Sequence, residues 1–176
     1  MLQFNIPQFN QYNIKIGLFQ DVENSSELRK SVAEIPLALI DAKMIFSREQ
    51  LYSALYRVLI ELNHNQLRTR SLHSEVLLCL SPTSNIGEAF KKFGINDDTN
   101  AIYCVEICGI SADSKYNSVT TSIKGTEKQD METFLKQNRE LDLISKMYKL
   151  KKDQVENLTE EEISTVISNA IQLRGL

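Results

Sequence analysis

The segment Leu67–Ile95 has the sequence LRTRSLHSEVLLCLSPTSNIGEAFKKFGI and contains the clearest structural signals in the chain. Its apolar run Glu75–Leu80 predicts a buried strand, and the following Ser81-Pro82 predicts a turn. Polar residues at Ser84-Asn85 can cap the amphipathic helix that follows, and Gly94 is suited to a left-handed residue at its end. A strand, a turn and a capped helix within one short segment indicate a structure that mixes α and β elements.

Other runs extend this pattern to the whole chain. Apolar or alternating residues predict further strands at Ile14–Phe19, Leu37–Asp41, Ala101–Gly109 and Val119–Ile123. Apolar residues at helical spacing predict helices over Ser26–Ile35, Leu51–Leu62 and Arg139–Leu150, and a final helix capped at Thr159. Ser47, followed three residues later by Gln50, is a capping-box pattern before the second of these helices. The polar residues 109–118 and 124–138 predict a hairpin loop and a loosely ordered connection. The predicted fold is therefore a single α+β domain spanning residues 1–176, with a largely antiparallel central sheet flanked by helices.

The composition limits the class of protein. With 176 residues, 42% of them hydrophobic and 24% charged, the chain has the composition of an ordinary soluble globular domain. Its net charge of -3 argues against a protein that coats nucleic acid, but it is compatible with a local basic patch. The first ten residues lack the basic start and apolar core of a signal peptide, and no run reaches the ~20 apolar residues of a membrane span. We therefore expect a cytosolic or nuclear protein without membrane contact.

The residue types that usually perform catalysis are sparse. The three cysteines are odd in number and form no CxxC pair, so they are predicted to be reduced thiols in apolar surroundings. The two histidines, His64 and His73, belong to no metal-binding or catalytic motif, and the glycine-rich phosphate-binding motifs do not occur. We therefore predict no catalytic residue, no bound metal and no cofactor.

Two pairs of basic residues can form a phosphate-binding surface. Arg68 and Arg70 lie before the predicted strand of the central segment, and Lys91 and Lys92 lie on the helix after it. Arginine and lysine side chains both bind phosphate, and Asn85 at the start of that helix can bring backbone amides to an anion. The alternative is that these residues belong to a solvated turn and a solvated helix face.

The last helix leads into an apolar C-terminus. Ile163, Ile167 and Ile171 lie on one side of the helix, and Leu173 and Leu176 continue the apolar character to the last position. Free chain ends usually lose hydrophobic character, so this pattern predicts that the helix docks on another surface. That surface can be the chain's own sheet or the groove of a partner protein.

A set of short motifs connects the chain to a known family. The central motifs are Thr69-Arg70-Ser71-Leu72, Ser74-Glu75-Val76, Leu80-Ser81-Pro82, Asn85-Ile86, Glu88-Ala89-Phe90 and Lys92-Phe93-Gly94-Ile95. Weaker similarities are Glu27–Lys30, Ala38–Asp41, Lys146–Leu150 and Ala170–Gly175. With these motifs the chain resembles the family of the PRPK-binding (TPRKB-like) subunit of the KEOPS complex, also called EKC, and its tail is similar to fungal members. Ala42 stands where many relatives carry proline, and residues 110–138 show little similarity.

The resemblance implies a sheet covered by helices and a regulatory subunit without enzymatic activity. Such a subunit binds the small atypical kinase of the complex on its N-terminal lobe, stimulates the ATPase activity of that kinase and meets the other subunits indirectly. It also contacts tRNA, including the 3′ CCA end, for the threonylcarbamoyl modification of adenosine 37. The family's links to telomere maintenance and transcription imply a nuclear and cytoplasmic location, including telomeres.

The resemblance and the residue patterns together lead to expected contact residues. The expected tRNA contacts are Arg68, Arg70, Asn85, Lys91 and Lys92. The expected kinase contacts are Ile163, Ile167, Ala170, Ile171, Leu173 and Arg174. Two alternatives remain at this stage: a ligand-binding or enzymatic domain with a polar pocket lined by His73, Glu75 and Asn85, and a plain scaffold without RNA contact.

Overall fold

The sheet at the centre of the molecule is antiparallel in all its strand pairs. The computed structural model describes residues 1–175, and Leu176 lies outside the described residues. The strands are β1 Leu2–Phe4, β2 Tyr12–Gln20, β3 Ala38–Asp41, β4 Ile102–Gly109 and β5 Thr126–Lys128. Their order is β1-β2-β4-β3, and β5 pairs with the last residues of β2. In register, Val105 of β4 lies between Ile16 of β2 and Ala38 of β3.

Helices surround this sheet. Within residues 1–175 the α-helices are α1 Ser25–Lys30, α2 Arg48–Asn63, α3 Leu72–Leu80, α4 Ile86–Phe93, α5 Tyr116–Thr120, α6 Met131–Asn138, α7 Leu141–Tyr148, α8 Lys152–Asn157 and α9 Glu160–Gln172. Two short 3₁₀ helices lie at Pro7–Phe9 and Ala42–Met44. Among these described residues, no helix combines the length and the apolar character needed to cross a membrane.

Two apolar cores lie on opposite faces of the sheet, because successive side chains of a strand point to opposite sides. In β4, Tyr103 and Val105 belong to the larger core, which also contains buried residues of α2, α3, α7 and α9. Ile102 and Cys104 belong to the smaller core, together with residues of α1 and α5. The predicted α+β domain with a largely antiparallel sheet flanked by helices is confirmed.

Three helix starts follow the predicted capping chemistry. Ser47, Asn85 and Thr159 each accept a hydrogen bond from the backbone N–H three residues later, at 3.0–3.2 Å. In α9 the side chain of Glu162 also accepts a bond from the backbone N–H of Thr159 at 2.7 Å, which completes a capping box. These local signals fix where α2, α4 and α9 begin.

The apolar run Glu75–Leu80 is helical, so the strand predicted there is wrong. It belongs to α3, whose N-cap Ser71 accepts a hydrogen bond from the backbone N–H of Ser74 at 3.1 Å. All six residues of the run are buried. A short apolar run that is buried on all sides has the same pattern in a helix as in a strand, and only the cap at Ser71 separates the two.

The region after β4 also differs from the prediction. Val119–Ile123, predicted as a strand, contains the end of α5 and the turn that follows it. The hydroxyl of Thr120 donates to the carbonyl oxygen of Tyr116 at 2.9 Å, a local bond that supports the helical turn. The supposed loose connection over residues 124–138 contains β5 and α6.

Gly94 does not adopt the predicted left-handed conformation. Its backbone is extended, with φ -71° and ψ 161°, and it forms an isolated antiparallel bridge with Ile40. A Cβ atom at this position would lie 2.5 Å from the carbonyl oxygen of Phe90. Glycine is therefore required by a close approach of backbone, not by a positive φ.

Other helix boundaries shift by a few residues. The first helix begins at Ser25 and ends at Lys30, not at Ile35 as predicted. The helix predicted over Arg139–Leu150 is α7, which covers Leu141–Tyr148. The short helix α8 was not predicted.

Candidate functional site

Five lysines line one cavity of about 450 Å³, formed by α4, α7 and the 3₁₀ helix Ala42–Met44. They are Lys43, Lys91, Lys92, Lys146 and Lys149. The acidic side chains that line the same cavity are Asp41 and Glu88, so lysines outnumber acidic residues by five to two. We call this feature the lysine cavity.

The backbone brings these lysines together from separate elements. Lys91 and Lys92 lie in the last turn of α4, and Lys146 lies in the last turn of α7. Lys149 follows α7 in a left-handed conformation with φ 54°, and Lys43 lies on the 3₁₀ helix. The C-terminal end of a helix carries a partial negative charge, which stabilises cations placed there. The positive charges of the cavity are therefore compatible with the stability of the two helices.

The acidic residues of the cavity neutralise only part of its charge. Asp41 is 3% exposed, and its carboxylate accepts a hydrogen bond from the Thr99 hydroxyl at 3.0 Å. Burial raises the pKa of Asp41, although Lys43, whose ammonium lies 3.6 Å from the carboxylate, acts in the opposite direction. Within residues 1–175 the other four lysines form no ion pair with an acidic side chain. The cavity can therefore hold an anion with several oxygen atoms, such as a phosphate.

The predicted basic surface does not form a single patch. Lys91 and Lys92 line the lysine cavity, whereas Arg68, Arg70 and Asn85 do not. The two arginines are exposed in the loop between α2 and α3. The side-chain oxygen of Asn85 accepts a hydrogen bond from the backbone N–H of Glu88 at 3.0 Å, so the cap of α4 uses one of the backbone amides that were expected to face an anion.

Three members of the lysine cavity were missed at the level of sequence. Lys43, Lys146 and Lys149 are distant from Lys91 and Lys92 in the chain and meet them only through the packing of α4, α7 and the 3₁₀ helix. The one sequence signal for Lys146 and Lys149 was the weak family similarity over Lys146–Leu150, and the residue types of that segment do not themselves indicate a binding site.

The buried side of α9 packs on the chain's own helix α2. Ile163, Ile167 and Ile171 are 5%, 0% and 0% exposed and belong to the larger core. Contrary to the expectation for the kinase contacts, these three side chains do not offer a free surface to a partner. Their burial explains the apolar character of the helix without any partner protein.

A second, narrower row of apolar residues lies on the flank of α9. Val166 and Ala170 are half-buried, and Leu173 just after the helix is 59% exposed. Their spacing of four and three residues places them on one side of a helix. We call these three residues the α9 stripe. Two of them, Ala170 and Leu173, belong to the expected kinase contacts.

Arg174 is also enclosed, which contradicts its expected place at a partner surface. It is 5% exposed, and its guanidinium donates to the carbonyl oxygen of Leu78 and, at 3.1 Å, to the carboxylate of Glu61. Arg57 of α2 in turn donates to the carbonyl oxygens of Ile171 and Arg174 at 2.6 and 2.8 Å. These bonds satisfy carbonyl groups that the end of α9 leaves without helical partners. The C-terminal segment is therefore fixed to the body of the protein.

The polar pocket that would favour a small-molecule enzyme is not formed. His73 lines a cavity of about 260 Å³ next to residues 32–39. Glu75 is fully buried elsewhere, and Asn85 is exposed at its helix cap. Burial lowers the pKa of His73 below its ordinary value. The cavity that His73 lines includes neither Glu75 nor Asn85, so the three residues do not meet in it.

The three cysteines are free thiols. Cys79 and Cys104 are buried and Cys108 is half-buried. Burial raises the pKa of Cys79 to about 12, and it also raises the pKa of Cys104. Both thiols therefore stay protonated at neutral pH, which is the state of an inert core cysteine.

Comparison with known proteins gives one consistent result. The family described as "Kinase binding protein CGI-121" matches residues 19–175. The chain is 47% identical over 175 residues to "EKC/KEOPS complex subunit CGI121" of Candida glabrata, which covers 99% of this chain and 100% of the relative. It is 44% identical over 182 residues to the subunit of the same name from Eremothecium gossypii, with both chains covered completely. A relative from Danio rerio, "EKC/KEOPS complex subunit TPRKB", is 35% identical over 121 residues, or 68% of this chain and 69% of the relative.

Proposed function

This chain belongs to the CGI-121 family of kinase binding proteins, and on that premise we propose that it is an accessory EKC/KEOPS subunit that binds and stimulates the small atypical kinase of the complex and helps to recruit tRNA. The observation that carries the proposal is the family match over residues 19–175, together with similarity to two subunits along their whole length. The subunit acts by contact and contributes no catalytic residue of its own.

The α9 stripe is the proposed kinase contact on this chain. Leu173 is among the most exposed large apolar side chains of the described residues, at 59%, and it lies on a segment fixed by Arg57 and Arg174. When an exposed apolar side chain lies on a segment that is already fixed, its burial in a complex costs little conformational entropy. Buried apolar anchors usually contribute most of the binding energy of such an interface.

The lysine cavity is the proposed tRNA contact. Its four lysines without acidic partners within residues 1–175 can each approach a phosphate, and binding of this kind releases counterions from the RNA. Arg68 and Arg70, exposed in the loop before α3, form a second and separate basic element. Because the net charge of the chain is -3, the protein as a whole does not attract RNA. The RNA contact is therefore confined to these basic side chains, and their positions determine how the RNA is oriented.

The names of the relatives support membership of the complex, and the roles at the level of the complex are supported by the resemblance alone. We propose that the subunit serves the threonylcarbamoyl modification of adenosine 37 and contacts the tRNA 3′ CCA end. A role in telomere maintenance and transcription, and a location in the nucleus and cytoplasm, including telomeres, belong to the same proposal.

Reconstitution with the cognate kinase tests the proposal. The chain is mixed with the kinase, the pair is isolated by gel filtration, and the ATPase rate of the kinase is measured with and without tRNA. We expect a stable pair and a raised ATPase rate. A chain that neither co-elutes with the kinase nor changes its rate would contradict the proposed function. A pair with no measurable tRNA affinity would identify a scaffold without RNA contact.

A further inference from the structure

A buried group of ionisable side chains links α2, α3 and the C-terminal segment. Glu61 of α2 and Glu75 of α3 are 8% and 0% exposed, and Cys79 lies beside them with 0% exposure. One carboxylate oxygen of each glutamate and the cysteine sulfur lie within 4.8 Å of one another. Two carboxylates so close in a buried site cannot both be ionised without strong repulsion. We call Glu61 and Glu75 the carboxyl pair.

Glu75 holds the loop that precedes α3. One of its oxygens, Oε2, accepts hydrogen bonds from the backbone N–H groups of Arg68 and Thr69 at 3.1 and 2.8 Å, and from the Thr69 hydroxyl at 2.6 Å. Its other oxygen, Oε1, is buried, and among the described residues no donor reaches it. A buried oxygen without a partner is costly, so this atom requires a proton of its own or a cation.

Glu61 has the opposite surroundings. Its Oε1 accepts from Arg57 at 2.8 Å and from Arg174 at 3.1 Å, and its Oε2 accepts from the thiol of Cys79 at 3.5 Å. Burial acts to raise the pKa of Glu61, but the bonds and charges of Arg57 and Arg174 lower it below its ordinary value. Burial raises the pKa of Glu75, and Glu61 raises it further. The two environments assign the negative charge to Glu61 and the proton to Glu75.

A metal ion is the alternative occupant of this group, because two carboxylates and a thiol are the ligand types of zinc. The position of a cation is already taken by Arg174, whose guanidinium lies 3.1 Å from Glu61 and 3.7 Å from the sulfur of Cys79. A divalent ion would lie against this fixed positive charge. The pKa of Cys79, raised to about 12, also opposes the thiolate that a metal requires.

We propose that Glu75 and Glu61 share one proton, and that this hydrogen-bonded carboxyl pair couples the loop Gln66–Arg70 to the C-terminal segment Ile171–Arg174. The bonds run in sequence from the loop amides to Glu75, through the shared proton to Glu61, and through Arg57 and Arg174 to the segment. A displacement at either end changes the geometry available at the other, since Glu61, Glu75 and Arg174 in the middle of this series of bonds are buried and have no water to replace a lost partner.

The coupling gives the proposed function a means of regulation, and this consequence rests on that function. The loop carries Arg68 and Arg70, which belong to the proposed RNA contacts, and the segment carries Leu173 of the α9 stripe. Kinase binding at Leu173 would then favour one arrangement of the two arginines. By thermodynamic linkage an anion on the arginines would change kinase affinity by the same factor.

Amide-resolved hydrogen exchange on the free full-length chain tests the coupling without kinase or RNA. In Glu75→Ala the amides of Arg68 and Thr69 lose their acceptor, and we expect their exchange to rise about tenfold or more. The coupling further predicts a rise of at least about threefold at the amide of Leu173, on the distant segment. Glu75→Gln is the matched control, because its amide group can still donate to Glu61 and its oxygen can still accept from Thr69. We expect less than about a twofold change in that variant at neutral pH.

Several outcomes of this experiment would overturn the proposal. If exchange in Glu75→Ala becomes faster in the loop but keeps its wild-type rate at the Leu173 amide, Glu75 stabilises only the loop before α3 and the coupling is refuted. Should Glu75→Ala fail to fold, Arg174→Lys tests the same coupling from the other end, since it keeps the charge and alters the geometry. Faster exchange at Thr69 in that variant supports the coupling, and unchanged exchange refutes it. If calorimetry shows that the wild-type chain binds one equivalent of Zn²⁺, a metal ion and not a shared proton joins the carboxyl pair, and the proposal is refuted.

The pH dependence of the same exchange identifies the proton. The titratable groups beside Glu75 are Glu61 of α2 and Cys79 of α3. Arg57 of α2 and Arg174 of the segment face the other member of the pair, Glu61. Raising the pH through the folded pKa of Glu75 removes the shared proton, so the protection of the Leu173 amide, corrected for intrinsic exchange, should fall in the wild type and not in Glu75→Gln. Equal profiles would refute the shared proton. A confirmed coupling in a chain that binds no kinase would refute the proposed function and leave the coupling intact.

Discussion

The lysine cavity and the buried group around Arg174 treat ionisable side chains in opposite ways. The cavity exposes lysines from three elements, and four of them have no acidic partner within residues 1–175. The buried group encloses Glu61, Glu75 and Arg174, with the half-buried Arg57 beside them, and each of the four has hydrogen bonds to side chains or backbone. Burying a charge is tolerated only when it is paired, whereas an exposed charge costs little and remains available. The difference separates charges that hold the fold from charges that can serve a partner.

The same contrast applies to the two sides of α9. Ile167 and Ile171 are fully buried against the protein's own core, and Leu173 is 59% exposed. A sequence pattern of apolar residues at helical spacing includes both kinds of residue. Only the packing shows that the isoleucines stabilise the domain and that the leucine can contact a partner.

The largest effect on stability is expected from breaking the buried group. In Arg174→Ala, Glu61 keeps Arg57 but loses its second guanidinium, and the carbonyl of Leu78 loses its donor. Removal of one partner of a buried ion pair typically costs 3–5 kcal/mol, so we expect a loss of about 3 kcal/mol in the free energy of unfolding. Urea unfolding followed by circular dichroism measures it.

Lys92→Ala, which removes an exposed cation, is the control and should change stability by less than about 0.5 kcal/mol. Equal effects of the two variants would abolish the distinction drawn between the two regions.

The next largest effect is expected on RNA affinity, from the cavity. Lys91→Ala/Lys92→Ala should weaken tRNA binding by the reconstituted kinase pair roughly tenfold and lower the slope of log affinity against log salt by about 1 per lost phosphate contact. A double variant of two other exposed lysines, Lys30→Ala/Lys151→Ala, removes the same charge and should leave the slope unchanged. Fluorescence anisotropy at several salt concentrations measures both. If the control variant lowers the slope as much, the effect comes from net charge and not from the cavity.

A smaller effect, confined to the kinase, is expected at the α9 stripe. Leu173→Asp should weaken kinase binding by about 1–3 kcal/mol and leave the free energy of unfolding within about 0.5 kcal/mol of the wild type, because the side chain is exposed. Calorimetric titration and urea unfolding provide the two values. Normal kinase affinity in this variant would exclude Leu173 from the interface.

Truncation is less suitable than this substitution. Removal of the residues after Gln172 eliminates Leu173 together with Arg174, whose guanidinium is part of the buried group. If the C-terminal segment docked only on a partner, such a truncation would harm kinase stimulation more than folding. The burial of Arg174 at 5% exposure predicts the reverse order of effects.

The smallest effect is expected in the pH dependence of stability. The folded pKa of Glu75 is raised, so its stabilising contribution is present at acidic pH and is lost as the pH rises through that folded value. The folded pKa of Glu61 is lowered, so its contribution is present above its unfolded pKa and is lost as the pH falls through the folded one. Glu75→Gln stays neutral, and its stability relative to wild type should therefore improve as the pH rises from the ordinary pKa of a glutamate through the raised folded pKa of Glu75. Parallel stability curves for the two proteins would show that Glu75 does not titrate in this range.

Much of the fold could be predicted because its signals are local. The caps at Ser47, Asn85 and Thr159 and the apolar β4 mark their elements within a few residues of sequence. The prediction failed where local pattern is ambiguous. The run Glu75–Leu80 is apolar at every position after its first residue, which gives no period to distinguish a helix from a strand.

The candidate site was less predictable, because it depends on contacts between distant residues. Lys91 and Lys92 were recognised as basic, but their neighbours Lys146 and Lys149 lie more than fifty positions later in the chain. Arg174 next to the chain end had the sequence context of a surface residue. Its burial depends on the space left between α2 and α3, which no local pattern encodes.

The most direct test of the central claim compares two charge or polarity reversals in one reconstituted system. Lys91→Glu/Lys92→Glu and Leu173→Asp are each combined with the kinase, and both kinase affinity and tRNA affinity are titrated. If the two surfaces are separate, the lysine variant loses tRNA affinity and binds the kinase as tightly as the wild type. The leucine variant loses kinase affinity, and measured without the kinase it binds tRNA as tightly as the wild-type chain does. Loss of both affinities in both folded variants, or of neither, would contradict the assignment of the lysine cavity to RNA and of the α9 stripe to the kinase.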